Sequence, residues 1–300
     1  MGCVAPITRR RFARWAAAGL AGVAVGSRAG WTMPEKAAAP FKLSVMLWTL
    51  RPKYTAEQAI DLVASAGYNG FELVNEDKKW SDADVTRIRA RMKQLGIVCD
   101  AMSGIDTGFA EANAGERLGE ELTARMPEAE RMGCRRIILL SGKRDNAMPR
   151  EKQHAVCVAN LQHAGEIAAK RGFDLLIEPI DALENPSIYL THVAEAFDIA
   201  RAVNLSSVQV LYDFYHEARG DGLRDVTSSL LSPLKGNMDL LGLVHVANVP
   251  GRCTPLTGEI RYPDVYAALR KEGYDGWLAM EFLPVGDAKA ELQQAAVKIL

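Results

Sequence analysis

The chain has 300 residues, 48% hydrophobic and 24% charged, a balance that excludes a disordered chain and fits one large globular domain. Its formal net charge is −1, yet residues 1–34 hold five arginines and no acid, which leaves 31 basic against 37 acidic side chains in the body. A body of that sign repels a phosphate backbone and argues against nucleic-acid binding.

The arginines open the chain. Thr8-Arg9-Arg10-Arg11-Phe12 precedes an Ala- and Gly-rich apolar stretch, residues 15–26. At about 12 residues this stretch is too short for a permanent membrane span. It resembles a twin-arginine signal. Residues 1–39 are therefore expected to be a signal peptide with a short linker, read by the twin-arginine export machinery, and the protein to be exported to the periplasm. Five cysteines (Cys3, Cys99, Cys134, Cys157, Cys253) show no CxxC and no paired spacing, so no disulfide framework is indicated.

From residue 40 to 300 short apolar runs alternate with longer amphipathic ones. Strands are expected at 43–48, 70–74, 97–102, 136–140, 175–178, 208–213, 243–247 and 277–281. Helices are expected at 55–66, 82–95, 114–132, 150–171, 188–202, 222–235, 262–272 and 287–300. Gly67, Gly96, Gly133, Gly172 and Gly273 each follow a helix, where a C-terminal cap belongs. Eight alternations predict a single (β/α)8 barrel of the α/β class, with a doubly wound open sheet as the competing solution.

Four of the later runs end on one metal-binding side chain: Glu178, Asp213, His245 and Glu281, at spacings of 35, 32 and 36 residues. Each spacing is close to one strand-plus-helix unit, so the four would close strands 5 to 8 at the C-terminal face, where barrels carry their active sites. Three carboxylates and an imidazole, with no thiolate, suit Mn²⁺ or Mg²⁺, with Co²⁺ or Zn²⁺ also accommodated. A divalent ion chelating a carbonyl and its neighbouring hydroxyl acidifies the C–H between them. Glu178 and Glu281 could then flank the substrate as an acid/base pair.

Around this centre the stretches Gly273-Tyr274-Asp275-Gly276-Trp277-Leu278-Ala279-Met280-Glu281, Gly258-Glu259-Ile260-Arg261-Tyr262-Pro263 and Asp213-Phe214-Tyr215-His216 resemble the hydroxypyruvate isomerase family. That family lies within the xylose-isomerase-like sugar isomerase and epimerase barrels. The resemblance covers about residues 41–286 and is tightest after residue 174. It implies Glu178 and Glu281 as the proton-transferring pair, Asp213 and His245 as the rest of the metal shell, and His216, in the loop after strand 6, as a substrate ligand. His245 departs from the bacterial hydroxypyruvate isomerases, where glutamine is usual, and agrees with the ketose 3-epimerases.

Arg252 offers a planar fork for a substrate carboxylate or hydroxyl. Trp48 would form an apolar wall, and Lys143 would read a substrate acid or phosphate. Glu72, Asn75 and Ser103 would supply hydrogen bonds. The expected activity is metal-dependent isomerisation or epimerisation of a small hydroxy-carbonyl compound or sugar through an enediolate. Alternatives are a sugar-acid or cyclitol dehydratase on the same barrel and a non-catalytic exported sugar-binding barrel. An endonuclease IV-like hydrolase needs a histidine-rich cluster, which five histidines do not supply. A homodimer is compatible with the sequence.

Overall fold

A computed structural model of the chain describes residues 41–51, 53–221 and 225–299; the expected signal, residues 1–39, lies outside them. Eight parallel strands close into a barrel in sequence order: β1 (Lys42–Met46), β2 (Gly70–Leu73), β3 (Val98–Met102), β4 (Arg136–Leu140), β5 (Asp174–Glu178), β6 (Val208–Asp213), β7 (Leu241–Val246) and β8 (Trp277–Met280). The helices are α1 (Ala56–Ser65), α2 (Asp82–Leu95), α3 (Gly115–Met132), α4 (Arg150–Lys170), α5 (Val193–Val203), α6 (Phe214–Asp221), α7 (Val226–Leu231), α8 (Tyr262–Lys271) and α9 (Ala288–Ile299).

Local signals set several boundaries. Thr55 and Gln58 form a capping box at the start of α1, and Ser81 and Asp84 form another at α2. Gly96, at φ 66°, ends α2 in the left-handed conformation that glycine adopts without a Cβ penalty.

Because side chains alternate across a strand, each strand feeds two cores. Met46, Ala101, Ile138, Leu176, Leu211, Leu243, Trp277 and Ala279 fill the barrel interior. The opposite faces, including Phe71, Ile137, Ile177, Val210 and Val244, pack with the helices in the outer layer. The period that sends Leu176, Leu211, Leu243 and Ala279 inward also sends Glu178, Asp213, His245 and Glu281 inward, two residues further on.

Two helical segments differ from the expectation. The helix expected at 188–202 begins only at Val193, because Tyr189 and Leu190 are held as loop by Gly142 O and Ser141 Oγ, each at 2.9 Å. The expected helix at 222–235 is represented by α7 and a 3-10 turn, Ser232–Leu234, and an additional helix, α6, starts directly after β6. Asp213 starts it: its Oδ1 accepts the amides of Tyr215 (2.7 Å) and His216 (3.4 Å), as a helix cap does. His216 therefore sits in the first turn of α6, not in a loop.

At the front of the barrel a buried pair braces the loops. Arg125 on α3 bonds Asp77 with both terminal nitrogens (2.5 and 3.0 Å) and Ser103 O through Nε at 2.9 Å.

Candidate metal centre and active site

Glu178, Asp213, His245 and Glu281 are all buried, and one potential ligand atom from each lies within 4.8 Å of those of the other three. Register explains the convergence. Asp213 and His245 are directly paired across β6 and β7, and His245 is paired with Ala279 on β8, two residues before Glu281. Glu178 closes β5 opposite Leu140 of β4.

The polar atoms at the centre fit a cation. His245 Nδ1 and Glu281 Oε2 lie 3.0 Å apart, yet both are buried without a hydrogen-bond partner among the described residues. Glu178 Oε1 is 3.4 Å from the same Nδ1. Unpaired buried polar atoms are costly, and three carboxylates converging with one imidazole nitrogen form a donor set for a hard divalent ion. Burial opposes charge on His245, but Glu72, Glu281 and Glu178 outweigh it and hold the imidazole above its ordinary pKa; a divalent ion would take the place of that proton among the carboxylates. Burial likewise opposes ionisation of Glu281, yet His245 and Arg252 bring its carboxyl down to about 2. Asp213 is raised, mainly by burial.

The four side chains differ in how they are held. Glu281 Oε1 accepts from Trp48 Nε1 at 3.0 Å and from Arg252 Nη1 at 3.1 Å. Asp213 Oδ1 is committed to the α6 cap, leaving Oδ2 to Arg252 Nη2 at 3.3 Å. His245 donates its other ring nitrogen, Nε2, to Glu72 Oε2 at 2.9 Å. Glu178 approaches His245 Nδ1 and lines the cavity above.

That cavity, of about 300 Å³, opens at the C-terminal face. Its polar lining includes Glu178, Glu281, His216 and Arg252, and its far wall is aliphatic: Met46, Val74, Ile138, Leu140, Ile180 and Ile188. Arg252 stacks between Trp48 (5.3 Å) and Tyr215 (4.6 Å), and its Nη2 lies 2.8 Å from His216 Nε2. The other ring nitrogen of His216 bonds Asp181 Oδ2 at 2.7 Å. Burial disfavours a charged His216, but Asp213 and the Asp181 bond prevail and carry its pKa to about 9.

Arg252 owes its place to the loop after β7. Asn248 clamps that loop, donating to Ile260 O (2.9 Å) and accepting from Ile260 N (2.8 Å). Gly258, at φ 116°, passes so close to Asn248 and Val249 O that a Cβ would come within 2.7 Å of both.

Of the side chains expected to bind substrate, Trp48, His216 and Arg252 gather at this cavity. Lys143 does not line it: the residue is exposed, and its backbone pairs with Ile188 and accepts from Gln153. The sequence pointed to Glu72 only as a front-wall donor, and it did not mark Asp181 or Asn248 at all. Each is an interior or loop polar residue whose partner lies far away along the chain, so no local spacing identifies it.

Residues 60–298 match the xylose isomerase-like TIM barrel family, and the chain belongs to it. Hydroxypyruvate isomerase of Escherichia coli is 29% identical over 178 residues, covering 59% of this chain and 67% of the relative. The 2-oxo-tetronate isomerase of Cupriavidus necator is 28% identical over 250 residues, covering 80% and 92%. A solved structure of AP endonuclease, family 2, from Brucella melitensis superposes with a TM-score of 0.72 at 23% identity, over 86% of this chain and 98% of that one, a likeness of fold. Within this family the chain is an isomerase.

Proposed function

We propose that this chain is a metal-dependent isomerase of a short hydroxy-carbonyl acid, resembling hydroxypyruvate or a 2-oxo-tetronate. The observation that carries the reading is the convergence of Glu178, Asp213, His245 and Glu281, with Nδ1 and Oε2 unpaired, beneath a cavity bearing one arginine. Mn²⁺ or Mg²⁺ would be held by these four side chains; when bound, it would polarise a carbonyl and the adjacent hydroxyl and stabilise negative charge on the enediolate.

Glu178 and Glu281 would shuttle the proton. Glu178 takes the C–H proton from the carbon bearing the hydroxyl, and the electron pair moves into a carbon–carbon double bond. Glu281, ionised at rest, would take a proton from water and deliver it to the neighbouring carbon, Glu178 would release its proton to water, and the hydroxyl proton would pass from one oxygen to the other. Atoms and charge balance with no co-reactant. Glu178 faces the cavity, while Trp48 and Arg252 fix Glu281. Arg252 lines the cavity and would bond a substrate carboxylate or hydroxyl. The aliphatic part of the wall suits a substrate with few hydroxyls on that side.

The test is an assay of hydroxypyruvate, tartronate semialdehyde, a 2-oxo-tetronate and ketohexoses in D₂O with added Mn²⁺, followed by NMR. Interconversion of an acid pair with deuterium at the exchanged carbon is expected. Loss of water would move the reading to a dehydratase, and binding with neither exchange nor turnover to a sugar-binding barrel.

We further propose export directed by residues 1–39, supported by Arg9-Arg10-Arg11 and the weak apolar core behind them. Cell fractionation of a variant with all three arginines changed to lysine would test it; an unchanged periplasmic yield refutes the signal.

A further inference from the structure

We infer that Glu72 is a positioning residue that holds His245 from behind, fixing which imidazole nitrogen faces the cation. Glu72 lies on β2, across the barrel interior from β7, and both side chains are fully buried. Its Oε2 is 2.9 Å from His245 Nε2, and its Oε1 has no hydrogen-bond partner among the described residues.

The placement is expensive without such a role. The barrel interior around it is filled by Met46, Ala101, Ile138, Leu176, Leu211, Leu243 and Ala279, and an aliphatic side chain on β2 would pack there without desolvating a carboxyl group. A neutral imidazole has one donor and one acceptor nitrogen. Bonding Nε2–H to Glu72 leaves the lone pair on Nδ1, the nitrogen that faces Glu178 and Glu281 without a hydrogen bond of its own. A carboxylate bonded behind a ligating histidine fixes the ring's tautomer and orientation and raises its basicity toward the ion. Asp213 and Glu281 have supports of their own, Asp213 in the α6 cap and Glu281 in Trp48 and Arg252.

This inference rests on the reading of the four side chains as a cation site, but not on the isomerase reading, so its test measures binding and not turnover. Mn²⁺ binding is followed by calorimetry and by the electron paramagnetic resonance of free Mn²⁺, in the wild type, Glu72→Gln, His245→Gln and the double variant. Glu72→Gln preserves volume and is expected to weaken Mn²⁺ about 10- to 100-fold. In the His245→Gln background the same change is expected to shift the dissociation constant less than about twofold, since the coupled partner is gone. A Glu72→Gln protein that is destabilised in chelator but binds Mn²⁺ as the wild type does would show a structural role and overturn the inference. Equal losses in both backgrounds would overturn it too, as would a wild type that binds no Mn²⁺. Should Glu72→Gln fail to fold, ¹⁵N shifts of His245 in the wild-type protein decide the matter: a protonated Nε2 with an unprotonated Nδ1 in the Mg²⁺-loaded protein is expected, and the reverse tautomer refutes it.

Discussion

Asp213 and His245 face one another as register partners on β6 and β7, so the pairing of two strands sets two candidate ligands side by side. Asp213 carries a second duty with its other oxygen, as the cap of α6. The two duties separate by substitution. Asp213→Asn keeps a good capping side chain and loses charge at the metal, so bound Mn²⁺ falls while thermal stability in chelator holds. Asp213→Ala loses both, with a cost of about 1 kcal/mol from the cap. Elemental analysis and melting in chelator distinguish them; equal stability of the two variants would contradict the capping role.

Glu178→Gln and Glu281→Gln should each lower kcat by about two to four orders of magnitude at saturating Mn²⁺, the usual worth of a positioned acid or base. Circular dichroism should show the barrel intact. If either variant retains a tenth of wild-type turnover, the proton-transfer assignment for that residue fails.

Arg252→Lys removes a planar fork held between two aromatic rings and replaces it with a point charge. KM for a carboxylated substrate should rise about tenfold or more, with a smaller effect on an uncharged analogue of the same length. Equal effects on the two substrates would show that Arg252 does not read the acid.

Removing Arg125 strands Asp77 in a buried place, and breaking a buried pair in this way costs about 3–5 kcal/mol. Urea unfolding of Arg125→Met should show that loss, and Arg125→Met combined with Asp77→Leu should recover most of it. A loss below about 1 kcal/mol in the single variant, in the range of an exposed pair, would show that the brace is solvated.

Glu121 anchors the loop after β3 by accepting the amides of Asp106 (2.8 Å) and Thr107 (3.0 Å). Burial raises its pKa, but the bonds from Thr107 and Asp106 outweigh it and leave it below the ordinary value of 4.5. A depressed carboxyl contributes stability above its unfolded pKa that is lost as pH falls through the folded one. The stability gap between wild type and Glu121→Gln should therefore be constant from neutral pH to about 5 and shrink below the ordinary glutamate range. Chemical denaturation at several pH values checks it; a gap that widens on acidification would reverse the sign.

The barrel and the inward convergence of its four candidate ligands were legible because both depend on short-range periodicity: an apolar run fixes a strand, and parity fixes which of its side chains face inward. Glu178, Asp213, His245 and Glu281 share that parity with the leucines and alanine before them. Other features depend on contacts between distant segments. Glu72 reads as an ordinary strand residue until β7 is placed across from it. Helix α6 was hidden because Asp213 was counted as a ligand alone. Lys143 follows a strand end, yet the pairing of its backbone with Ile188 leaves the side chain outside the cavity.

The guanidinium of Arg252 bridges Glu281 and Asp213, one terminal nitrogen to each. The chain thus brings its own tethered counter-ion to the carboxylates. Under the proposed function, an acid in the cavity would compete with those carboxylates for the same cation, so its binding would be an ion exchange and not the addition of a charge to an open field. Such an exchange leaves the net charge of the mouth to the substrate alone. It would also tie the grip on the acid to the release of the groups proposed to serve the reaction.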